Sequence, residues 1–233
     1  MRLVLFDIDG TLLLTDGAGR RAIHRALVEE AGTPGPIDDY RFDGKTDPQI
    51  VRELLTLAGH ADAQDPARIA AVCDRYLGLL EAELAHPAQS TRLLAGVPEL
   101  LTALTRPERE RRVLVGLLTG NLERGATLKL RSAGVDPARF AIGAFGSDAG
   151  HRSLLPPIAK QRAEAVCGEP IAGADVVIIG DTPDDVACAR GIGARTIGVA
   201  TGWYDVPALV ASGATHVFAD LSDTRAALDA LLA

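Results

Sequence analysis

Three short apolar runs in the chain stop abruptly at polar loop residues. Leu3-Val4-Leu5-Phe6 meets Asp7, Val113–Leu118 meets Thr119-Gly120-Asn121, and Val176-Val177-Ile178-Ile179 meets Gly180-Asp181-Thr182. Apolar runs of this length without alternation predict strands buried on both faces of a parallel sheet. A fourth run, Thr196-Ile197-Gly198-Val199, is rich in β-branched residues, and a weaker fifth lies at 140–145. Helical patterns fall between the runs, at 123–133 before Gly134 and at 154–167 before Gly168. Another opens at Thr182-Pro183 and heads toward Ile192, and a last one spans about 222–232. The glycines are C-terminal stops, and the Thr-Pro pair is an N-cap with proline at the first helical position. Strand–helix–strand alternation of this kind implies right-handed crossovers and a doubly wound α/β domain.

The alternation breaks between about residues 14 and 95, where no strand is predicted. Ile23, Ala26, Leu27 and Ala31 share a helical face. Asp47-Pro48 opens a helix with Ile50, Leu54 and Leu57 on one side, and Asp65-Pro66 opens a longer one with Ile69, Val72, Tyr76, Leu80 and Leu84. The expected organisation is a catalytic core of residues 1–13 and 96–233, with residues 14–95 forming an inserted helical cap. The cap is expected over the carboxyl end of the sheet, where such folds bind ligands.

Composition narrows the partners. The 233 residues suit one large domain or one domain with an insertion. With 31 acidic and 24 basic residues the net charge is −7, which argues against DNA or RNA as a partner. Small phosphate esters stay open, because a pocket can be locally positive. No apolar run reaches the ~18–20 residues of a membrane span. The N-terminal Met1-Arg2-Leu3-Val4-Leu5-Phe6-Asp7-Ile8-Asp9-Gly10 carries two acids in its apolar stretch, unlike a signal peptide. Cys73, Cys167 and Cys188 are odd in number and far apart, so neither a disulfide framework nor a zinc site is expected. A reducing cytoplasm is the expected compartment.

The chemistry concentrates at the ends of the strands. Asp7-Ile8-Asp9-Gly10-Thr11 follows the first run directly. Two carboxylates so placed can hold a divalent cation through oxygen, as magnesium prefers, while one attacks an electrophile and the other moves a proton. Gly10 permits a tight turn and Thr11 adds a hydroxyl. Gly180-Asp181-Thr182-Pro183-Asp184-Asp185 also leaves a buried strand and opens a helix. Asp181 can complete a metal site, and Asp185 can hold Thr182 or a backbone amide. Thr119-Gly120-Asn121 offers a hydroxyl and backbone N–H groups at a helix start, a place for phosphate oxygens. Read alone, each of the last two is also an ordinary helix N-terminus.

Together the three motifs resemble the haloacid dehalogenase superfamily over the whole chain. The resemblance implies a Rossmann-like core with a helical cap, Asp7 as nucleophile and Asp9 as general acid/base. It also implies that Thr119 binds the transferring phosphoryl group and that Asp181 binds Mg2+, together with Asp7 and the backbone carbonyl of Asp9. The second aspartate, absent from the true dehalogenases, points to phosphoryl transfer. Gly44-Lys45-Thr46-Asp47 is similar to a Gly-x-Thr-Asp stretch in the cap of phosphoglycolate-phosphatase-type enzymes, which makes Lys45 and Thr46 candidate substrate contacts.

The chain departs from the family at its basic motif, commonly Lys-Pro, which is missing here. Arg152 stands at the matching distance before a helix, and Lys160 inside that helix is the alternative. The expectation is thus a cytoplasmic Mg2+-dependent phosphatase acting on a small phosphorylated metabolite such as phosphoglycolate. A phosphosugar mutase, phosphonate hydrolase, nucleotidase or pyrophosphatase would keep the same core residues, and a non-enzymatic phosphometabolite sensor would need no nucleophile.

Overall fold

A computed structural model describes residues 1–106 and 112–233. Six parallel strands form one sheet in the order β5-β4-β1-β6-β7-β8. They are β1 (Arg2–Phe6), β4 (Val113–Leu118), β5 (Ile142–Ala144), β6 (Val176–Gly180), β7 (Arg195–Val199) and β8 (His216–Phe218). Central β1 explains its unbroken apolar run. Leu3 and Leu5 pack with Leu155, Ala159 and Ile178 on one face, while Val4 and Phe6 pack with Leu100, Leu130 and Leu231 on the other. Helices α4 (Val97–Leu104), α5 (Glu123–Ser132) and α9 (Thr224–Leu232) supply one layer. Helices α6 (Leu155–Cys167) and α7 (Pro183–Ala189) supply the other, and the short α8 (Val206–Ala211) lies beside β7 and β8. Phe6 stands level with Leu117 and Ile179, so the loops after β1, β4 and β6 open at one edge.

Residues 14–95 contain α1 (Ala18–Ala31), α2 (Asp47–Leu57) and α3 (Pro66–Ala85), with a hydrophobic core of their own around Ile23, Leu27, Leu54, Tyr76 and Leu80. Two details differ from expectation. Leu57 is 60% exposed, because α2 buries Val51 and Leu55 beside Ile50 and Leu54. At 3.6 residues per turn Leu57 falls about 90° from the centre of that face. The segment also does contain strand: β2 (Leu13–Leu14) pairs antiparallel with β3 (Arg92–Leu93), tying the two ends of the helical insertion together. Two-residue strands are too short to show a periodic pattern.

The insertion is fastened to the core at a seam. Asp47 N–H donates to Gly120 O (2.8 Å), Leu122 N–H donates to the Asp47 carboxylate (2.9 Å), and Thr46 Oγ1 donates to Gly150 O (3.2 Å). Gly120 must be glycine here, since a Cβ would lie 1.9 Å from Lys45 O. At the rim, the Arg41 guanidinium sits 5.5 Å from the ring centre of Trp203 and 5.9 Å from that of Tyr204. Among the described residues, no helix is long and apolar enough to cross a membrane.

Candidate active site

Asp7 is the first residue beyond β1, and its N–H donates to Ile179 O (2.9 Å), which fixes the loop against β6. Its carboxylate meets those of Asp181 and Asp185, all three buried, with ligating oxygens within 4.8 Å of one another. Burial pushes the Asp7 pKa up to about 6, with Asp185 and Asp9 adding to the rise and Arg152 opposing it. Burial, Asp185 and Asp7 likewise raise Asp181 well above the usual carboxylate range, against the hydrogen bond from Thr11 Oγ1 (3.1 Å). Gly10, at φ +79°, lets the turn pass so close that a Cβ would lie 2.3 Å from Asp181 Oδ2. Asp185 is committed at both oxygens. One pairs with Arg152, and the other accepts from Thr182 N–H (2.9 Å) and Oγ1 (2.7 Å) in a reciprocal cap of α7.

Arg152 comes from the turn Arg152–Leu154 before α6 and is 6% exposed. Its Nη2 lies 3.4 Å from Asp7 Oδ1 and 3.1 Å from Leu118 O, and it also donates to Asp185. Burial alone would lower its pKa, but Asp185 and Asp7 raise it, so it is a permanent cation. Lys160, the other candidate, donates to Glu164 (2.7 Å) one turn further along α6 and contributes nothing to the cavity around Asp7. His151 faces Arg52 at the surface (3.4 Å).

Asp9 points elsewhere, with its side chain 43% exposed. Its Oδ2 accepts from Asn121 Nδ2 (2.8 Å) and Lys129 Nζ (2.6 Å). Asn121 Oδ1 in turn accepts from Lys129 (2.7 Å), and Asn121 Nδ2 also donates to Thr119 Oγ1 (2.8 Å). Thr119 and Asn121 are thus brought beside Asp9, and the Thr119 hydroxyl, accepting here, keeps its own proton to donate. Lys129 and Asp47 are not among the residues expected from the sequence. The signal for Lys129 is its place on the buried face of α5 with Ala126 and Leu130, where a lysine is out of character. Burial raises the Asp47 pKa to about 6, against Lys129 and the Leu122 amide.

A cavity of about 380 Å³ separates these core residues from Gly19, Phe42, Gly44 and Tyr76 of the insertion. Lys45 borders it, but its ammonium is engaged with Tyr40 Oη (2.7 Å) and Glu53 (2.8 Å). Thr46 is buried as the N-cap of α2. The donor set around Asp7 suits a hard divalent cation. It is all oxygen, it is crowded with like charge, and Arg152 is its only close cation among the described residues. The side-chain cluster is Asp7, Asp181 and Asp185, whereas the contribution expected of Asp9 is its backbone carbonyl; the Asp9 carboxylate is held by Asn121 and Lys129.

The profile of the haloacid dehalogenase-like hydrolase family matches residues 4–190. The chain belongs to that family. It is a phosphohydrolase of the phosphoglycolate-phosphatase type. It is 30% identical over 227 residues to a phosphoglycolate phosphatase of Caulobacter vibrioides, covering 94% of this chain and 88% of that one. It is 29% identical over 206 residues to the phosphoglycolate phosphatase of Cereibacter sphaeroides, covering 88% and 87%. In fold it is similar to a hydrolase from Pseudomonas syringae, with TM-score 0.74, 22% identity and 99% of both chains covered.

Proposed function

We propose that the chain is a magnesium-dependent phosphatase that cleaves a small phosphomonoester, 2-phosphoglycolate or a close analogue, through an aspartyl-phosphate on Asp7. The observation that carries this reading is the convergence of Asp7, Arg152, Thr119 and Asp9 on one cavity. Asp7, Asp181 and the Asp9 backbone carbonyl would hold Mg2+, whose charge offsets the repulsion between a carboxylate and a phosphate dianion.

Asp7 Oδ attacks phosphorus in line and the ester oxygen leaves. Asp9 protonates that oxygen and then takes a proton from the water that cleaves the acyl phosphate. Asn121 and Lys129 both bind Oδ2 of Asp9, which leaves Oδ1 for the proton transfer. Thr119, the amides of Gly120 and Asn121, and Arg152 stabilise charge on the phosphoryl oxygens. Thr11 and Asp185 act through Asp181 and Arg152. Residues 14–95 act as a cap that excludes bulk water. We assign the enzyme to the cytoplasm.

Phosphate release from a panel of phosphomonoesters that includes 2-phosphoglycolate and p-nitrophenyl phosphate, with magnesium and with EDTA, tests the proposal. Magnesium-dependent release is expected. Release from none of them, or release undiminished by EDTA, would overturn it.

A further inference from the structure

Tyr76 carries a hydroxyl with no hydrogen-bond partner, although the residue is 1% exposed. It projects from the middle of α3 to the wall of the cavity that Asp7 and Asp9 also line. Burial, together with Asp47 and Asp9, raises its pKa well above that of a free phenol, so it stays a proton donor. A buried hydroxyl without a partner is destabilising, and native structures seldom leave one. Lys129 stands beside it. An ammonium has three N–H groups, and Asp9 and Asn121 take two of them. Tyr76 Oη and Lys129 Nζ lie 3.8 and 3.6 Å from the point where a Cβ on Gly19 would stand. Gly19 leaves that point open, so no side chain screens the two unspent donors that border the same stretch of cavity wall near Asp9.

We infer that Tyr76 and Lys129 form a leaving-group subsite, that it takes an acceptor oxygen on the carbon next to the ester carbon, and that Tyr76 is its specificity-determining residue. The inference rests on the phosphatase reading for what the cavity holds. A carboxylate and a hydroxyl both supply such an oxygen, and the ammonium favours the carboxylate through a charge-assisted bond. A plain alkyl leaving group strands both donors, which is how a site built for a polar group rejects an analogue that lacks it.

Three esters separate these cases. 2-Phosphoglycolate, 2-hydroxyethyl phosphate and ethyl phosphate share a two-carbon ester and differ only at the second carbon. Their affinities are measured by calorimetry with magnesium on the full chain carrying Asp7→Asn, so that no ester is consumed, and again with Tyr76→Phe added. The expected order is phosphoglycolate, then hydroxyethyl phosphate, then ethyl phosphate. The first should bind at least about tenfold more tightly than the last, the equivalent of one good hydrogen bond. Tyr76→Phe should cut that ratio to about threefold or less. Gly19→Ala, which puts a methyl group at the open point, should lower the same ratio while leaving the helix intact. A preference that survives Tyr76→Phe, no preference in the parent, or no binding of any ester would each overturn the subsite.

Melting of the ligand-free protein supplies a second readout. Tyr76→Phe should melt at or above the parent temperature, because it removes an unpaired group. A drop of several degrees would show that the fold itself uses the hydroxyl, and would overturn the inference. Phosphate release by the wild-type chain decides the phosphatase reading separately. A protein that binds the esters in the expected order and releases no phosphate keeps the subsite and loses the hydrolase.

Discussion

Arg152 Nη2 lies 3.4 Å from Asp7 Oδ1, joining the loop after β5 to the loop after β1, and the same nitrogen bonds Asp185 and Leu118 O. One guanidinium therefore orients the proposed nucleophile and ties it to the acidic loop after β6. Arg152→Ala should lower turnover by ~10²–10³-fold, as loss of one charge-stabilising donor does. Arg152→Lys should recover only part of this, because a point charge does not reproduce the planar fork. Lys160→Ala should stay within about threefold. Kinetics of all three variants at saturating magnesium check this. A dead Lys160→Ala beside an active Arg152→Ala would reverse the assignment.

Asp7→Asn keeps the shape of the side chain and removes its charge. Turnover should fall by at least ~10³-fold if the covalent step runs through this oxygen. Mass spectrometry must show the preparation free of deamidated protein. Near-wild-type turnover in such a sample would exclude an aspartyl-phosphate on Asp7.

Lys129 and Asn121 grip the same oxygen of Asp9. Lys129→Gln should slow hydrolysis of alkyl phosphates by about 10- to 100-fold, since a mispositioned acid protonates a basic leaving group poorly. Esters whose leaving group needs no proton, such as p-nitrophenyl phosphate, should lose less. A plot of log kcat/KM against leaving-group pKa is the measurement. An unchanged slope would separate Lys129 from proton transfer.

Burial raises the Asp7 pKa to about 6, above the 3.8 of a free aspartate. The folded state thus holds a proton that the unfolded chain gives up earlier. The contribution of Asp7 to metal-free stability is therefore greatest below about pH 4 and is lost as the pH rises through about 6. A divalent cation needs the ionised form, so its stabilising effect grows over the same interval. Saturating magnesium should raise the melting temperature by several degrees near pH 8 and by much less near pH 5. Equal shifts at both pH values would count against Asp7 as a ligand.

Asp47 holds the seam between insertion and core through Gly120 and Leu122. Asp47→Ala should destabilise the protein by about 1–3 kcal/mol, because it strands the buried Leu122 amide. Asp47→Asn keeps an acceptor and should be milder. Chemical denaturation of the two variants gives the comparison, and equal losses would assign the effect to charge.

The parallel core was legible in the sequence because β1, β4 and β6 are apolar on both faces and end at Asp7, Thr119 and Asp181. Arg152 could be preferred to Lys160 from chain distance alone, since two helical turns carry a side chain away from the sheet edge. Other features left no such trace. β2 and β3 have two residues each, and β8, His216–Phe218, is an edge strand with no fully buried residue. α4 and α8, of eight and six residues, are too short to show a helical period. Lys129 was hidden because periodicity treats a lysine in a helix as a solvent-facing residue. Its partner Asp9 lies 120 positions away, and only the fold joins them.

The central position of β1 also sets an order of assembly. Its two neighbours, β4 and β6, end at Leu118 and Gly180, so the first strand made waits for residue 118 before one edge can be paired and for residue 180 before the other. The helical insertion made next has its own hydrophobic core, and its main contact, α1 against α3, is complete once residue 85 has been made, a shorter reach along the chain than either pairing of β1. Contacts close in sequence form faster than distant strand pairings. During synthesis the helices therefore take shape first. The strand that leads into Asp7 keeps at least one apolar edge open until residue 180 has left the ribosome, and in that interval the nascent chain is exposed to aggregation.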